Sequence, residues 1–486
     1  MRRVAVVGGG IAGLATAYEL RARAAEVPGG LEVRLLEAAP RVGGNLRTER
    51  GDGFRVEWGP NGFLDNVPAT LELVRRLGAE GELVRADAAA ARRFLYRRGR
   101  LHLLPSGPGS FLACPVLSLR GRLRVLGEPF ARRAPAGDET VFEFARRRIG
   151  AEAAAILVDA MVSGVFAGDS RRLSLASCFP KMAEMEREHG GLVRAMVARQ
   201  RARGAARKRL AELAARGEAA PELTRPGGPE GPGGTLTSFR DGIQCFAELL
   251  AGALGGAVET SRPVAALGRG GERAWSLAGA GAPPLAADAV VLAQPAAQAA
   301  PLLAPLDDAL ATAVGEIPAA PLAVVALAYD AAAIGGAPPG FGFLVPRGEE
   351  CRILGCLWDS SLFPGRAPAG RVLLRAMIGG ANDPAATALT DDELLATVRG
   401  DLAQTMRLHA APLAHWIFRH RLGISQYTVG HGRRLERIAG RLAALPGLHV
   451  AGQSYFGVSM NACVEQAPKL AAEIVAALAR EPVPAR

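Results

Sequence analysis

The sequence predicts an α/β multidomain fold, α+β in its overall mixture, built around a discontinuous nucleotide-binding domain. The chain opens with a strand-like apolar run, a glycine-rich turn and a segment with helical apolar spacing. A strand, a loop and a long helical pattern, "GLHVAGQSYFGVSMNACVEQAPKLAAEIVAALAR", close the chain. Between them lie a mostly helical stretch and a set of apolar, strand-like segments. We therefore expect one nucleotide-binding domain assembled from separate segments, a mixed-sheet domain and a helical domain.

The opening segment, "MRRVAVVGGGIAGLATAYEL", carries the most specific motif. Gly8, Gly10 and Gly13 have G-x-G-x-x-G spacing directly after the buried-strand pattern of residues 4–7. In a Rossmann-like turn the first glycine permits the tight bend, the second admits a pyrophosphate and the third lets helix and strand pack closely. The helix N-terminus adds a favourable place for the anion. No A-x-A-like cleavage site follows the apolar run, which argues against a secretory signal.

An acidic residue at the end of the next strand indicates which nucleotide binds. The strand "LEVRLLE" ends at Glu37, 24 residues after Gly13. A carboxylate at this place accepts a hydrogen bond from a ribose hydroxyl and disfavours a 2′-phosphate, so NADP is not expected. The separated segments also argue against a simple NAD dehydrogenase, in which the nucleotide domain usually occupies one block.

Length and composition exclude several classes of protein. The chain has 486 residues, 49% of them hydrophobic, and a net charge of +11. The charge comes almost entirely from scattered arginine without interleaved aromatics, so nucleic acid is not an expected partner. The six cysteines form no C-x-x-C pair and the histidines are scattered, which predicts reduced thiols and no metal site. No apolar run of 18 residues is free of Gly, Pro and charge, so we expect no transmembrane helix.

Strand and helix patterns divide the chain into six segments. An Arg/Ala-rich stretch that ends in "ELTRPGGPEGPGGT" is expected to be a flexible insertion. The expected segments are 1–85, 235–300 and 421–486 for the nucleotide-binding domain, 86–200 for the helical domain, 201–234 for the flexible insertion and 301–420 for a substrate-binding sheet domain.

Several motifs together resemble a known flavoprotein superfamily. The stretches "GGGIAGL", "LLEA" and "RVGGNLRT", with "HVAGQSYFGVSMNACVEQA" near the C-terminus, are similar to the FAD-binding fold of the amine oxidase, phytoene desaturase and protoporphyrinogen oxidase superfamily. Within it, "RRFLYRRGRLHLLPSG", "SGVFAGDSRRLSLASCFPKMAEMEREHGG" and "ISQYTVGH" resemble the oxygen-dependent protoporphyrinogen oxidase family. The resemblance covers nearly the whole chain apart from residues 201–234.

The resemblance implies FAD as the cofactor and contacts to it from several segments. Ser459 and Ala462 stand where the family often has Gly and Asp. Asn61 either touches the flavin or fills a turn that needs a left-handed residue. The cofactor-binding residues expected on this basis are Gly8, Gly10, Ile11, Ala12, Gly13, Glu37, Ala38, Arg41, Gly43, Gly44, Asn45, Leu46, Gly59, Pro60, Asn61, Val264, Ala293, Gly452, Val458, Ser459 and Met460.

The resemblance also implies an activity in haem biosynthesis. The family oxidises protoporphyrinogen IX to protoporphyrin IX in three two-electron steps, with O2 as acceptor and H2O2 as by-product. Because the flavin carries the redox chemistry, we assign no catalytic side chain. A coproporphyrinogen III oxidase of the same family, acting on a four-propionate substrate, is the nearest alternative. An amine oxidase or carotenoid desaturase fits less well, because the three lysines lie outside the flavin motifs, and a non-catalytic flavin or porphyrin carrier is the alternative from another class.

A porphyrinogen is a large apolar macrocycle with propionates, which requires a wide apolar slot with a cationic anchor. By resemblance Arg93 is that anchor, although Arg92 or Arg97 would supply the same charge. From periodicity alone, Phe341, Leu344 and Met377 would be interpreted as residues of the hydrophobic core. The substrate-binding residues implied by the resemblance are Arg93, Gly164, Gly168, Phe341, Leu344 and Met377.

The helical stretch resembles the membrane-binding domain of the family. Residues 107–117, "GPGSFLACPVL", carry no charge and are expected to expose Phe111, Leu112 and Leu117 in a loop. With the arginines of residues 119–124 they would attach the protein to a bilayer surface; a covered core loop is the alternative. We therefore expect a cytoplasmic protein, peripheral on the inner face of the cell membrane. Its expected partners are a tetrapyrrole substrate, O2, ferrochelatase or an upstream haem-pathway enzyme, and a second copy of the chain.

Overall fold

The computed structural model describes residues 1–105, 107–133, 137–215, 234–271 and 273–480. Its strands, in chain order, are β1 Arg2–Val7, β2 Leu31–Leu36, β3 Thr48–Gly51, β4 Phe54–Glu57, β5 Phe63–Leu64, β6 Leu83–Arg85, β7 Arg93–Arg97, β8 Arg100–Leu103, β9 Leu236–Phe239, β10 Val258–Glu259, β11 Ala266–Arg269, β12 Trp275–Gly279, β13 Ala282–Ala287, β14 Ala289–Leu292, β15 Ala319–Asp330, β16 Gly342–Leu344, β17 Ile353–Leu357, β18 Arg371–Gly379, β19 Ala414–Ser425 and β20 Leu448–Val450.

The α-helices vary from single turns to a helix of 24 residues. In chain order they are α1 Ile11–Ala22, α2 Pro68–Arg76, α3 Pro108–Ala113, α4 Leu119–Leu126, α5 Val141–Ile149, α6 Ala151–Ala153, α7 Asp159–Phe166, α8 Leu175–Cys178, α9 Pro180–His189, α10 Leu192–Ala215, α11 Gln244–Leu254, α12 Ala296–Leu303, α13 Asp308–Gly315, α14 Asp359–Leu362, α15 Asp391–Met406, α16 His431–Leu442 and α17 Met460–Arg480. A π-helical turn, Ala154–Val158, joins α6 to α7. The 3₁₀ turns are Ala24–Glu26, Glu80–Glu82, Ala88–Ala91, Glu128–Phe130, Gly255–Ala257, Ala332–Ile334 and Pro384–Ala388.

Helix boundaries follow local chemistry. Reciprocal capping boxes, Thr140 with Glu143 and Thr390 with Glu393, satisfy free backbone N–H groups where α5 and α15 begin. Helices α2, α3 and α9 begin on proline, whose fixed φ suits the first helical position. Helix α9 ends at Gly190, whose φ of +76° is left-handed.

A five-stranded parallel sheet, in the order β10-β2-β1-β14-β20, forms the centre of the nucleotide-binding domain. Its strands come from widely separated parts of the chain, as the predicted α/β class requires. Helices α1, α11 and α17 cover one face, and α12, α13 and α16 with the β11–β12–β13 meander cover the other. Because both faces are covered, β14 and residues 4–7 of β1 are apolar and buried.

A mixed sheet of seven strands forms the second domain, in the order β19-β15-β18-β17-β16-β7-β8. Only β16 and β7 pair in parallel; the other neighbours are antiparallel. Helix α15 packs on one face of the sheet. The other face packs against Phe54 and Val56 of β4, which joins the sheet to the nucleotide-binding domain.

The structure differs from the expected domain boundaries at three places. The helical prediction for 86–200 is wrong for β7 and β8, which pair with each other and join the mixed sheet through β16. Strand β19 continues the mixed sheet past residue 420 to Ser425. Helix α13, within the expected 301–420 domain, instead packs Leu310 and Val314 into the core beneath the parallel sheet.

The helical domain extends from α3 to α10. The expectation of a flexible insertion over 201–234 is wrong for residues 201–215, which continue α10, and residues 216–233 lie outside the described residues. The fully buried Arg148 donates to the Glu128 carboxylate, which also accepts hydrogen bonds from the backbone nitrogens of Leu192 and Val193 at 2.9 and 3.1 Å. This buried pair fixes the first turn of α10 to the domain.

The segment expected to meet a membrane is partly helical. Its expected exposure is wrong for Leu117, which is only 3% exposed because it packs with Leu95, Val116 and Ala160. Leu112 is exposed and Phe111 is half-buried. Among the described residues, no helix is long and apolar enough to span a bilayer.

We predict that the free energy of unfolding falls as the pH drops from 6.5 towards 4, because the buried His431 and the half-buried His449 are neutral in the folded protein. Burial lowers the pKa values of His431 and His449 to about 4, from 6.5. Neither ring nitrogen of His431 has a hydrogen-bond partner among the described residues, and its ring stacks on Tyr427 with centroids 4.1 Å apart. In this range the unfolded chain binds protons that the folded chain does not, at a cost of up to about 3 kcal/mol for each histidine.

The check is the free energy of unfolding of the FAD-loaded protein, measured by denaturant titration at several pH values. His431→Gln should give a flatter profile between pH 6.5 and 5, whereas His415→Gln, which changes an exposed histidine, should keep the original slope. Equal slopes for all three proteins would contradict the prediction.

Candidate active site

One cavity of about 1800 Å³ runs from the parallel sheet to the space between the mixed sheet and the helical domain. Its nucleotide end includes Gly8 and Gly10 beside the carboxyl ends of β1 and β2. Its other end is lined by Leu95 of β7 and Leu117 of the segment between α3 and α4. A ligand that fills it would therefore touch all three domains.

Each of the three glycines in the turn after β1 is required for a different structural reason. Gly8 has a φ of +109°, a left-handed conformation that bends the chain into α1. A Cβ at Gly10 would meet nothing within 4 Å, so this backbone is open to a bound group. A Cβ at Gly13 would lie 1.9 Å from the Gly8 carbonyl oxygen, so the third glycine lets helix and strand touch.

Glu37 is held in position by backbone groups at the edge of the cavity. Its Oε2 accepts a hydrogen bond from the Gly9 nitrogen at 2.6 Å, and its Oε1 accepts one from the Ala39 nitrogen at 2.8 Å. These bonds fix the carboxylate while leaving lone pairs for hydroxyl donors. The arrangement suits the ribose of a dinucleotide.

A second glycine turn packs against the first. The Gly43 nitrogen donates to the Gly9 carbonyl at 2.8 Å. Gly43 and Gly44 have φ values of +114° and +56°, and a Cβ at Gly44 would lie 3.3 Å from the Gly10 Cα. A side chain at Gly44 would press on the Gly10 backbone, so glycine lets the two turns approach closely, and their backbones leave a cradle that fits the pyrophosphate of FAD.

Positive charge and a stacked aromatic ring lie beside this cradle. The Arg47 and Arg41 guanidinium carbons lie 4.6 and 5.2 Å from the Trp58 ring centroid, and that ring stacks on Phe418 at 4.6 Å. Burial, followed by repulsion from Arg41, lowers the pKa of Arg47. An anion bound here would relieve that repulsion, which again suits a pyrophosphate.

Sequence reasoning missed Trp58 and His420 as wall residues. The His420 Nε2 lies 2.8 Å from the Trp58 carbonyl oxygen, and burial lowers the pKa of this histidine. A neutral imidazole that donates from Nε2 keeps Nδ1 as an acceptor. Trp58 adjoins the predicted Gly59–Asn61 contact and could have been found from that position; His420 is brought there only by the pairing of β19 with β15.

Most of the expected cofactor residues line the cavity. Two do not: Gly13 is packed beneath the turn, and Arg41 lies beside Trp58 with its Nη1 3.3 Å from the Gln244 Oε1. The lining residues from the expected set are Gly8, Gly10, Ile11, Ala12, Glu37, Ala38, Gly43, Gly44, Asn45, Leu46, Gly59, Pro60, Asn61, Val264, Ala293, Gly452, Val458, Ser459 and Met460. Their contacts with FAD stay a prediction.

The expected substrate residues converge at the other end of the cavity. The Arg93 guanidinium carbon lies 5.0 Å from the ring centroid of Phe341, so the cation rests on an aromatic face. Leu344 of β16 reaches α7 where a Cβ at Gly164 would lie 2.5 Å from its Cδ2, so glycine permits this close contact. Met377 of β18 also lines the cavity.

Gly168 does not line the cavity. It follows α7 in a turn where a Cβ would lie 2.6 Å from the Gln426 Oε1 and 2.8 Å from the Leu173 Cδ1. Neighbouring protein atoms occupy the space that a side chain at Gly168 would need, so this glycine permits close packing.

Within the described part of the chain, no three His, Cys, Asp or Glu side chains lie close enough together to bind a metal ion.

Comparisons with known proteins agree with this architecture. The family model described as flavin containing amine oxidoreductase matches residues 11–475. A protoporphyrinogen oxidase from Bos taurus is 36% identical and covers 98% of each chain, and a coproporphyrinogen III oxidase from Bacillus subtilis is 29% identical and covers 96% of each.

Solved structures agree on the fold. A crystal structure from Exiguobacterium sp. 255-15 superposes with a TM-score of 0.80, at 25% identity over 98% of this chain and 99% of that one. Cyclohexylamine oxidase from Brevibacterium oxydans shares the fold alone, with a TM-score of 0.69 at 18% identity over 99% of this chain and 100% of that one. The chain therefore belongs to the flavin-containing amine oxidoreductase family, and its cofactor is FAD.

Proposed function

We propose that the chain is a porphyrinogen oxidase that converts protoporphyrinogen IX to protoporphyrin IX with O2 as acceptor, giving H2O2. The single observation that supports it best is one cavity that joins the FAD cradle to an apolar slot containing Arg93 on Phe341. The names of the Bos taurus and Bacillus subtilis relatives point to the same substrate class.

The chain's own residues bind and orient the macrocycle. FAD, when bound, supplies the two-electron acceptor for each of the three oxidation steps. Phe341, Leu344 and Met377 form an apolar wall that suits the pyrroles and excludes water, while Arg93 holds a propionate. We therefore expect these side chains to position the macrocycle against the end of the cavity that holds FAD.

Coproporphyrinogen III is the second candidate substrate, favoured by the name of the Bacillus subtilis relative. The test is to add each porphyrinogen separately to the aerobic FAD-loaded protein while following porphyrin fluorescence and H2O2. Faster oxidation of protoporphyrinogen IX supports the proposal, and preference for the four-propionate substrate selects the alternative. Oxidation of neither above the autoxidation rate, with no anaerobic bleaching of the flavin by substrate, would overturn the enzyme assignment in favour of a carrier.

We further propose that the protein attaches peripherally to the cytoplasmic face of a membrane through α4 and its surroundings. Leu119, Leu123 and Leu126 of α4 are 64%, 56% and 50% exposed, and nearby Phe130 is 86% exposed. Arg120 on the same helix is also exposed and would meet anionic headgroups. Such an apolar surface with a cation beside it suits insertion into the interface of a bilayer.

The test is co-sedimentation with phosphatidylcholine vesicles containing phosphatidylglycerol. Leu119→Ser combined with Leu123→Ser should lower the bound fraction, with an affinity loss of about tenfold or more, because two apolar side chains no longer leave water. Leu413→Ser changes a leucine that is 57% exposed near β19 and should bind like the original protein. Equal binding of all three would overturn the attachment proposal.

A further inference from the structure

We propose that Arg122 is a second carboxylate anchor of the cavity, so that guanidinium groups on two different elements, β7 and α4, hold the substrate. This inference rests on the proposed function, because it takes the substrate to be a porphyrinogen with at least two carboxylates. Arg122 lines the cavity from α4, whereas Arg93 lines it from β7.

The surroundings of Arg122 place its guanidinium on the cavity wall. One amino group, Nη1, donates to the Leu112 carbonyl, which ties the side chain across the segment between α3 and α4. The Nε atom is buried and has no hydrogen-bond partner among the described residues. Protein covers this nitrogen, so a ligand would be held by the part of the Arg122 guanidinium that lines the cavity.

The charge balance of this end of the cavity points to an anion. Within the described residues, Arg93 contacts the Phe341 ring and Arg122 the Leu112 carbonyl, and neither forms an ion pair with a carboxylate. The acid that lines the cavity within the described part of the chain is Glu37, at the nucleotide end. Leu95, Leu104 and other apolar side chains form the wall near the two arginines. Two unpaired cations on an apolar slot suit a flat apolar ligand that carries two carboxylates.

The experiment measures binding of protoporphyrin IX and of its dimethyl ester to the FAD-loaded protein by fluorescence titration. Arg122→Gln should raise the Kd of the diacid by about tenfold or more, because a charge-assisted bond is lost, and should leave the Kd of the ester unchanged. Arg122→Lys keeps the charge and should recover part of the affinity. Arg194→Gln changes an exposed arginine of α10 and should alter neither Kd.

The outcomes separate this inference from the proposed function. Equal effects of Arg122→Gln on the diacid and the ester, or no effect on either, would overturn the anchor. Loss of binding to phosphatidylglycerol vesicles with unchanged diacid Kd would assign Arg122 to a lipid phosphate and also overturn it. If the original protein oxidises no porphyrinogen, the proposed function fails; if it does and Arg122→Gln leaves the KM unchanged, only the anchor fails. Thermal unfolding of each variant shows whether the fold is intact.

Discussion

Replacing Gly13 with alanine is expected to leave a protein that binds little FAD and is less stable by about 3 kcal/mol or more. The new Cβ would lie 1.9 Å from the Gly8 carbonyl oxygen and 3.1 Å from its carbon. Both atoms belong to the backbone of the glycine turn, so no flexible side chain can move aside. Helix α1 must shift off β1, and the cradle that holds the pyrophosphate shifts with it. Flavin absorbance per mole of protein and denaturant unfolding measure the two losses.

Gly10→Ala is the matched variant, because it separates cofactor binding from folding. Gly10 has φ −72° and ψ 176°, which alanine adopts without strain, and a Cβ there would meet nothing within 4 Å of the protein. The methyl group would occupy cavity space at the start of α1. We expect the apoprotein to keep its stability while FAD binding weakens at least tenfold. Normal FAD binding by Gly10→Ala would contradict the assignment of the pyrophosphate to this turn.

The glycine turn was predictable from sequence because its determinants are local. Gly8, Gly10 and Gly13 lie within six residues, and Glu37 ends the next strand, so strand, turn and helix patterns place all of them together. The structure places Gly8, Gly10 and Glu37 on one cavity edge and puts Gly13 beneath it. The expectation of close helix–strand packing at Gly13 therefore agrees with its surroundings.

The rest of the site depends on pairings between distant segments, which periodicity cannot reveal. Strands β7 and β8 occur in an Arg-rich stretch with weak strand signals. They join the mixed sheet because β7 pairs with β16, which lies about 250 residues further along the chain. His420 faces Trp58 across 362 positions of sequence. The local sequence predicts that Leu117 is an exposed loop residue. In the structure it is buried, because Leu95 of β7 and Ala160 of α7 pack against it. Such contacts are tertiary, so the local pattern favoured helix or loop.

A buried network of two acids and two arginines supports the wall of the cavity near Trp58. Glu57, Asp359, Arg366 and Arg375 are each at most 2% exposed. The Arg375 Nε lies 2.8 Å from the Asp359 Oδ2, and its Nη1 donates to the carbonyl oxygens of Glu57 and Gly59 at 3.2 and 2.5 Å. Because Gly59 lines the cavity, Arg375 is a positioning residue for the turn that faces FAD.

Arg375→Met is expected to lower the free energy of unfolding by about 3–5 kcal/mol, because it leaves the Asp359 charge buried without its partner. The loosened turn at Gly59 should also weaken FAD binding. Arg371→Met, on the same strand, breaks an ion pair with Asp330 whose side chains are 39% and 46% exposed, and should cost at most about 1 kcal/mol. Adding Asp359→Leu to Arg375→Met removes both charges and should recover most of the lost stability, although not the two bonds to the turn. The measurements are denaturant unfolding and FAD titration of the three variants. If Arg375→Met and Arg371→Met lose the same free energy of unfolding, or if the double variant recovers none of it, then the buried Asp359 charge is not the cause of the loss.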